Sequence, residues 1–172
     1  MSIWQNLHPD LMLESIYELD LSFLEEKGIR GVILDMDNTL LPFGTTEVDE
    51  QMIQWVESLK EAGYRLCVVS NSAQQKGDNL TSRVGIPAIW HATKPRRGAF
   101  RRALQKMELN PEEAVAIGDQ VFTDVLGGNR LGLFTILVPQ LGSKDFIWTR
   151  MMRRLERKVL RQIQEGVGVK NK

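Results

Sequence analysis

The sequence lacks several features that would point to a particular environment or partner. Its 172 residues contain one cysteine, Cys67, so an intramolecular disulfide is excluded and a reducing compartment is favoured. No uncharged run reaches the roughly 18 residues that a membrane-spanning helix needs. The N-terminus carries early acidic residues and no basic stretch, which argues against a secretory signal and makes the cytoplasm the expected location. Because 22 basic and 22 acidic residues balance, net charge identifies no partner.

What the sequence does contain is a regular alternation of short apolar runs and amphipathic helical patterns. The predicted strands are 31–35, 64–70, 86–92, 114–118 and 133–138. The predicted helices between them are 46–63, 73–85, 98–109 and 123–131. This alternation is typical of βαβ units with right-handed crossovers. It predicts a Rossmann-like, three-layer α/β/α fold around a parallel sheet of about five strands, in which Cys67 is a small buried residue.

Two flanking segments are predicted on either side of this core. Residues 1–28 are amphipathic and acidic, and they are expected to be helical. Residues 143–172 combine apolar side chains at helical spacing with many basic ones, which predicts a basic amphipathic helix and a tail. That helix would contact an anionic membrane surface, pack on the N-terminal segment, or do both. The catalytic domain is therefore expected to span 1–142.

Three of the predicted strands run directly into polar side chains. Asp35 and Asp37 follow the first strand, Ser70 and Asn71 follow the second, and Asp119 follows the fourth. In parallel α/β sheets the ligand site lies at the carboxyl ends of the strands, where strand order reverses. These side chains are therefore expected to converge on one site.

The residue types at these strand ends suit phosphoryl transfer with a hard metal ion. Carboxylates such as Asp35 and Asp119 are the oxygen ligands that Mg²⁺ prefers. A carboxylate can also attack phosphorus, and Asp37 is spaced to protonate a leaving oxygen and later to deprotonate water. Ser70 offers a hydroxyl donor, and Lys94 offers a positive charge for phosphate oxygens. Together they combine positioning with electrostatic stabilisation.

Four short motifs in a fixed order give the sequence a family resemblance. They are DMDNTL at 35–40, SNS at 70–72, KP at 94–95 and GDQVFTD at 118–124. In this order they resemble the four motifs of the haloacid dehalogenase (HAD) superfamily of phosphatases, over about residues 29–140. The resemblance implies the HAD-like fold and hydrolysis of a phosphomonoester through an aspartyl-phosphate intermediate.

The resemblance also implies a role for each acidic residue in the motifs. Asp35 would be the nucleophile and a Mg²⁺ ligand. Asp37 would be the general acid/base and would give its backbone carbonyl to the metal. Asp119 would complete the protein's share of the metal shell, with Asp124 close by as a further or more distant ligand.

The other motif residues are implied in binding the substrate. Ser70 and Lys94 would hold the transferring phosphoryl group. Asn71 would follow Ser70 in the substrate-facing loop and is predicted to bind substrate phosphate.

The short spacing between the motifs leaves no room for a cap domain. One helix and one strand fit between Asp37 and Ser70, and the interval from Ser72 to Lys94 is equally short. This layout resembles HAD subclass IIIA, and the segment 15–43 resembles the YqeG branch, which is related to phosphatidylglycerophosphate phosphatases. An open site of this kind suits a lipid substrate. A protein, nucleic-acid end or small metabolite as substrate, or a non-enzymatic scaffold of the same fold, are the alternatives.

Some of these residues also have purely structural interpretations. Asp35 and Asp37 could cap a turn after the strand, although the other motifs make this a minor alternative. Asp124 could equally be a helix N-cap, and Asn71 with Ser72 could cap the next helix.

A cluster of arginines follows Lys94 directly. Arg96, Arg97, Arg101 and Arg102 could be a solvated helix face, or they could meet a second phosphate of an anionic headgroup. A nucleic-acid partner is not expected, because the core has no pattern of aromatic and basic residues typical of a binding groove.

Overall fold

A computed structural model describes residues 5–73 and 78–142. The predicted C-terminal amphipathic helix, 143–172, lies outside the described residues. The strands are β1 (Leu11–Met12), β2 (Gly31–Leu34), β3 (Arg65–Val69), β4 (Ala88–Ile89), β5 (Ala114–Gly118) and β6 (Phe134–Leu137). They form one parallel sheet in the order β1-β6-β5-β2-β3-β4, which confirms the predicted fold class.

The sheet order places a reversal of direction beside β2. From β2 the chain adds β3 and then β4 on one side, and it returns to add β5 and then β6 on the other. A reversal of this kind opens a crevice at the carboxyl ends of the adjacent strands. The ends of β2 and β5, where Asp35 and Asp119 follow, flank this crevice.

The sixth strand, β1, lies in the N-terminal flank that was predicted to be helical. Leu11 and Met12 pair with Ile136 and Leu137 of β6. The Asp10 carboxylate anchors this pairing, because it accepts a hydrogen bond from the Thr135 backbone N–H at 2.8 Å. A strand of two residues has too few positions to show a period, so sequence pattern alone does not reveal it.

The ends of several helices differ from the prediction because local side chains set them. They are α1 (Leu21–Glu26), α2 (Glu50–Glu61), α3 (Asp78–Val84), α4 (Arg97–Met107) and α5 (Leu126–Asn129), with 3₁₀ turns at Gln5–Leu7, Ile16–Glu18 and Pro111–Glu113. The helix predicted at 46–63 begins only at Glu50, because the Asp49 carboxylate caps it by accepting from the Gln51 N–H at 3.0 Å. The helix predicted at 123–131 is instead a π-helical turn, Val121–Val125, that runs into α5.

Alternate residues of the central strands pack into two apolar layers, one on each face of the sheet. On one face, Val32 packs in a cluster with Val56 of α2. On the other face, Ile33 and Cys67 pack in a cluster with Phe100 of α4. Cys67 is fully buried, as predicted, and burial raises the pKa of its thiol to about 12. Each large side chain buried in this way contributes about 1.5–3 kcal/mol, which fixes the strand ends that carry the polar residues.

None of the described helices has both the length and the apolar composition needed to cross a bilayer.

Candidate active site

The carboxyl edge of the sheet brings together four buried charged side chains from separate parts of the chain. Asp35 follows β2, Asp119 follows β5, Lys94 lies in the loop between β4 and α4, and Asp124 lies in the π-helical turn. Oxygens of the three carboxylates lie within 4.8 Å of one another. The predicted convergence of the strand-end residues is therefore present in the structure.

Lys94 lies at the centre of this cluster. Its Nζ is 2.5 Å from Asp35 Oδ1 and 2.6 Å from Asp124 Oδ1, and its side chain is almost completely buried. Burial by itself would lower the pKa of Lys94, but the Asp124 and Asp35 carboxylates outweigh it and raise this pKa above its ordinary value. Lys94 is therefore held as a cation in direct contact with the predicted nucleophile.

Asp35 is in the opposite electrostatic situation. Burial raises its pKa well above the ordinary value, the Lys94 ammonium opposes this rise, and the Asp124 and Asp119 carboxylates add to it. Asp35 Oδ1 is bound to Lys94, whereas its buried Oδ2 has no hydrogen-bond partner among the described residues. Three buried carboxylates thus face one ammonium, and the cluster carries more negative than positive charge.

This donor set fits a divalent metal ion. Carboxylate oxygens from Asp35, Asp119 and Asp124 are hard ligands of the kind that Mg²⁺ binds, and a small octahedral ion needs only a few of them because it retains waters. A charge of plus two would also balance the excess negative charge. Asp35 Oδ2 is the oxygen best suited to it, since the other oxygen of this carboxylate already accepts from Lys94.

Asp37 does not belong to this buried cluster. After Asp35 the chain turns sharply, with Asn38 in the left-handed region at φ 63° and the Leu40 N–H donating back to the Met36 carbonyl at 2.9 Å. The half-buried Asp37 side chain accepts a hydrogen bond from Ser72 Oγ. The two aspartates of the first motif therefore have different partners, as the separate roles predicted for them require.

Ser72 is the site residue that the sequence did not single out. Its hydroxyl donates to Asp37, and its backbone N–H donates to Ser70 Oγ at 3.1 Å. Ser72 therefore contacts both the half-buried Asp37 and the fully buried Ser70. In the sequence, the only indication of this role is that Ser72 is the third residue of the SNS motif. The interpretation of Ser72 as a helix cap stays a prediction, because residues 74–77 lie outside the described residues.

Asn71 holds the loop that carries Lys94. Its side-chain Oδ1 accepts from the Lys94 backbone N–H at 2.7 Å, and its Nδ2 donates to the Lys94 carbonyl at 3.5 Å. These contacts join the loop after β3 to the loop after β4. They add a positioning contact that its predicted phosphate binding did not include, and the helix-cap interpretation of Asn71 stays a prediction.

Asp124 lies inside the π-helical turn, whose N-cap residue is Gln120, so the prediction of Asp124 as the N-cap is wrong and its metal role stays a prediction. Its Oδ1 accepts from Lys94, and its Oδ2 accepts at 3.2 Å from the backbone N–H of Gln120, the residue that precedes the π-helical turn. The close fit of this side chain depends on Gly118. A Cβ atom at position 118 would lie 2.3 Å from Asp124 Cγ, so only glycine leaves room for the carboxylate there.

The arginine cluster lies beside this site without joining it. Arg96 precedes α4, and Arg97, Arg101 and Arg102 stand on its exposed side. The ion pairs found among residues 5–73 and 78–142 involve other basic residues.

Comparison with known proteins identifies the family. A family model described as mitochondrial PGP phosphatase matches residues 2–140, which is most of the chain. The chain belongs to the mitochondrial PGP phosphatase family. The family membership confirms the phosphatase activity class and the branch that the motifs predicted.

Relatives of this PGP phosphatase family member cover most of its length. It is 41% identical over 152 residues to the probable phosphatase YqeG of Bacillus subtilis, covering 88% of both chains. It is 29% identical over 165 residues to phosphatidylglycerophosphate phosphatase 1, chloroplastic/mitochondrial, of Arabidopsis thaliana, covering 90% of this chain and 47% of that one. Both named relatives are phosphatases.

Solved structures agree on the fold. A HAD family hydrolase from Streptomyces avermitilis superposes with a TM-score of 0.51 at 16% identity, covering 65% of this chain and 67% of that one. At this identity the match shows the HAD fold alone. Together with the family membership, it makes this PGP phosphatase family member a HAD phosphatase.

Proposed function

We propose that this phosphatase hydrolyses a phosphomonoester of the phosphatidylglycerophosphate type, with Asp35 as nucleophile and Mg²⁺ as cofactor. One observation carries the proposal. The buried Asp35 carboxylate has one oxygen on the Lys94 ammonium and a second buried oxygen with no partner among the described residues, next to two further carboxylates. A carboxylate can attack phosphorus with one oxygen while its other oxygen binds a metal ion, and the Lys94 ammonium would stabilise the charge of the attacked phosphoryl group.

In the first step, an Asp35 oxygen attacks phosphorus and the bond from phosphorus to the leaving alcohol breaks. Lys94 and Ser70 bind oxygens of the transferring phosphoryl group, so that the charge on these oxygens is stabilised. Asp37, in its protonated form, gives its proton to the departing alcohol oxygen. The products of this step are the alcohol and a phosphoryl group bound to Asp35.

In the second step, water replaces Asp35 on phosphorus. Asp37, now a carboxylate, takes a proton from the attacking water, and inorganic phosphate leaves as the Asp35 carboxylate is restored. Asp35, Asp119 and Asp124, with the Asp37 backbone carbonyl, would hold Mg²⁺. When bound, the metal supplies charge neutralisation for the phosphoryl oxygens and for the buried carboxylates.

The lipid substrate is supported by the relatives and by the open construction of the site. The Arabidopsis relative is named a phosphatidylglycerophosphate phosphatase, and the matched family carries the same activity in its description. Between Leu41 and Arg65 the chain has a loop and the single helix α2. A headgroup that stays anchored in a membrane would therefore approach the carboxyl edge of the sheet directly.

A substrate panel tests the proposed function. The purified protein with Mg²⁺ is offered phosphatidylglycerophosphate in detergent micelles, sugar phosphates, nucleotides and a phosphopeptide, and kcat/KM is obtained from phosphate release. We expect the lipid to be preferred by at least about tenfold, equivalent to about 1.4 kcal/mol of transition-state binding. A soluble ester or phosphopeptide that is hydrolysed more efficiently would exclude the lipid assignment and support one of the alternatives.

Ser72→Ala tests the proton-transfer role of Asp37. Losing the Ser72 hydroxyl leaves Asp37 without this contact, so we expect kcat to fall by about tenfold with an alkyl phosphate, a modest part of the 10²–10⁴ attributed to general acids. With 4-nitrophenyl phosphate, whose leaving group needs little protonation, the fall is expected to be smaller.

Two further variants complete this comparison. Ser72→Thr keeps a hydroxyl and is expected to recover activity on the alkyl ester. Ser58→Ala removes a serine hydroxyl that binds the Trp55 carbonyl on α2, away from the site. It is expected to leave kcat unchanged on both esters. Equal losses on both esters in Ser72→Ala would assign Ser72 a role in folding rather than in positioning Asp37.

A further inference from the structure

The exposed side of α4 has an unusual concentration of positive charge. Arg96, Arg97, Arg101 and Arg102, here called the cationic surface, are all exposed, and residues 96–107 contain no acidic residue. The opposite side of the helix is apolar, and Phe100 there is buried in the core. The cationic surface is thus held outward by the packing of its own helix.

The described residues provide no ion pair to the arginines of this surface. Arg97 and Arg101 are one helical turn apart, and like charges at this spacing destabilise a helix by a few tenths of a kcal/mol. Among the described residues, the ion pairs that the structure contains use Arg30, Arg65, Arg83 and Lys94 instead. An anionic partner outside this part of the chain would remove that repulsion.

The cationic surface begins at the rim of the active site. Only Pro95 separates Arg96 from Lys94, whose Nζ contacts Asp35. Arg101 lies one turn further along the helix than Arg97, about 6 Å at the rise of an α-helix. The surface therefore extends outward from the place where the phosphate of a substrate would bind.

The shape of the surface favours an extended anionic partner. Its arginines stand on the outer side of a helix, and an exposed helix face meets a plane of charge more readily than it encloses a small ligand. Guanidinium groups bind phosphate oxygens with two parallel hydrogen bonds, which suits phosphate headgroups. A nucleic acid also presents phosphates, but α4 carries no exposed aromatic residue on which a base could stack.

We propose that the cationic surface binds the phosphate layer of an anionic lipid bilayer and holds the carboxyl edge of the sheet towards lipids in that layer. The benefit to catalysis rests on the proposed lipid substrate, whereas binding to the bilayer does not. The two parts are therefore tested separately.

Binding is measured with the full chain by co-sedimentation with vesicles. One set is phosphatidylcholine alone, and the other contains about 30 mol % phosphatidylglycerol, which gives the surface a negative potential. We expect the wild type to prefer the anionic vesicles, and Arg97→Gln/Arg101→Gln to lower its partition coefficient roughly thirtyfold, the loss expected for two basic residues near an anionic surface. The variant is checked for an unchanged unfolding midpoint.

A matched control removes the same charge elsewhere. Lys27→Gln/Arg83→Gln alters two exposed basic residues, one at the end of α1 and one in α3, helices whose buried side chains pack on the opposite face of the sheet from α4. This pair is expected to change partitioning by less than about threefold. Equal losses in both pairs would indicate general charge attraction and would overturn the proposal.

Other outcomes separate this proposal from the proposed function. Failure of the wild type to prefer anionic vesicles, or unchanged binding by Arg97→Gln/Arg101→Gln, would overturn it. The proposal would also be overturned if the variant lost binding to single-stranded DNA but kept its binding to anionic vesicles. If the variant loses vesicle binding while the wild type does not hydrolyse phosphatidylglycerophosphate, the cationic surface stands and the lipid substrate fails. If the proposed function and the cationic surface are both correct, the variant is expected to lose activity on vesicle-bound lipid and to retain it on 4-nitrophenyl phosphate.

Discussion

Asp35→Asn is expected to reduce phosphatase turnover by at least about a thousandfold, as removal of a nucleophile does in other covalent enzymes. The asparagine amide cannot form the aspartyl-phosphate that the carboxylate forms, although the side chain keeps its size. The loss is expected on every substrate, including 4-nitrophenyl phosphate, because each requires the same attacking oxygen. Turnover is measured by release of phosphate with Mg²⁺ present.

The fold is expected to survive this substitution. Asp35 is one of three buried carboxylates that share a single ammonium, so neutralising it relieves repulsion. Lys94 keeps its contact with Asp124, and no buried cation is left alone. Removing a desolvated charge under these conditions is neutral or stabilising, and the thermal midpoint in the absence of metal is therefore expected to stay level or to rise.

A control and a second readout make the role of Asp35 specific. Asp20→Asn changes an exposed helix cap for which asparagine serves equally well, and it is expected to affect neither turnover nor stability. In wild-type protein quenched with acid during turnover, mass spectrometry is expected to find one phosphoryl group on the peptide containing Asp35. A variant that keeps its turnover, or a phosphoryl group on another residue, would contradict the assignment.

Removal of divalent metal with EDTA is the second change with a large expected effect. We expect turnover to fall by at least about a hundredfold, since metal ions contribute several kcal/mol to charge stabilisation in such transition states, and to return when Mg²⁺ is added. Activity that is indifferent to EDTA would contradict the proposed cofactor.

Binding of the metal can be followed without turnover. A ligand that binds only the folded protein raises its thermal midpoint with concentration, so Mg²⁺ is expected to stabilise the wild type. Asp119→Asn removes one carboxylate of the cluster, and its midpoint is expected to respond only at higher Mg²⁺ concentrations. Asp20→Asn is expected to respond like the wild type, and an equal response of all three proteins would place the bound metal away from this site.

The central part of the fold and of the site follows from sequence because a strong physical rule applies to it. Short apolar runs between amphipathic helices require a parallel sheet, and such a sheet brings its strand ends to one edge. Asp35 and Asp119 meet there for this reason. No contact had to be known beforehand, since strand order and strand direction determine the meeting place.

The parts that sequence could not predict depend on single contacts between distant residues. The hydrogen bond from Ser72 to Asp37 joins two loops that are 35 residues apart, and no periodic pattern encodes it. The need for glycine at position 118 arises only when Asp124 folds back onto that backbone. Strand β1 is a further example, because its two residues form a strand only by pairing with β6.

The pairing of β1 with β6 has a consequence for the order in which the chain can be completed during synthesis. Asp10 and Thr135 are 125 residues apart, so the ribosome releases the first strand long before its partner exists. Until then, β1 has no ladder to join, and once β6 has emerged its outer edge stays open until β1 docks. An open edge is a template for pairing with other chains, so docking of the N-terminal segment, which replaces the edge of β6 by the two-residue edge of β1, lowers the tendency of a newly made molecule to self-associate.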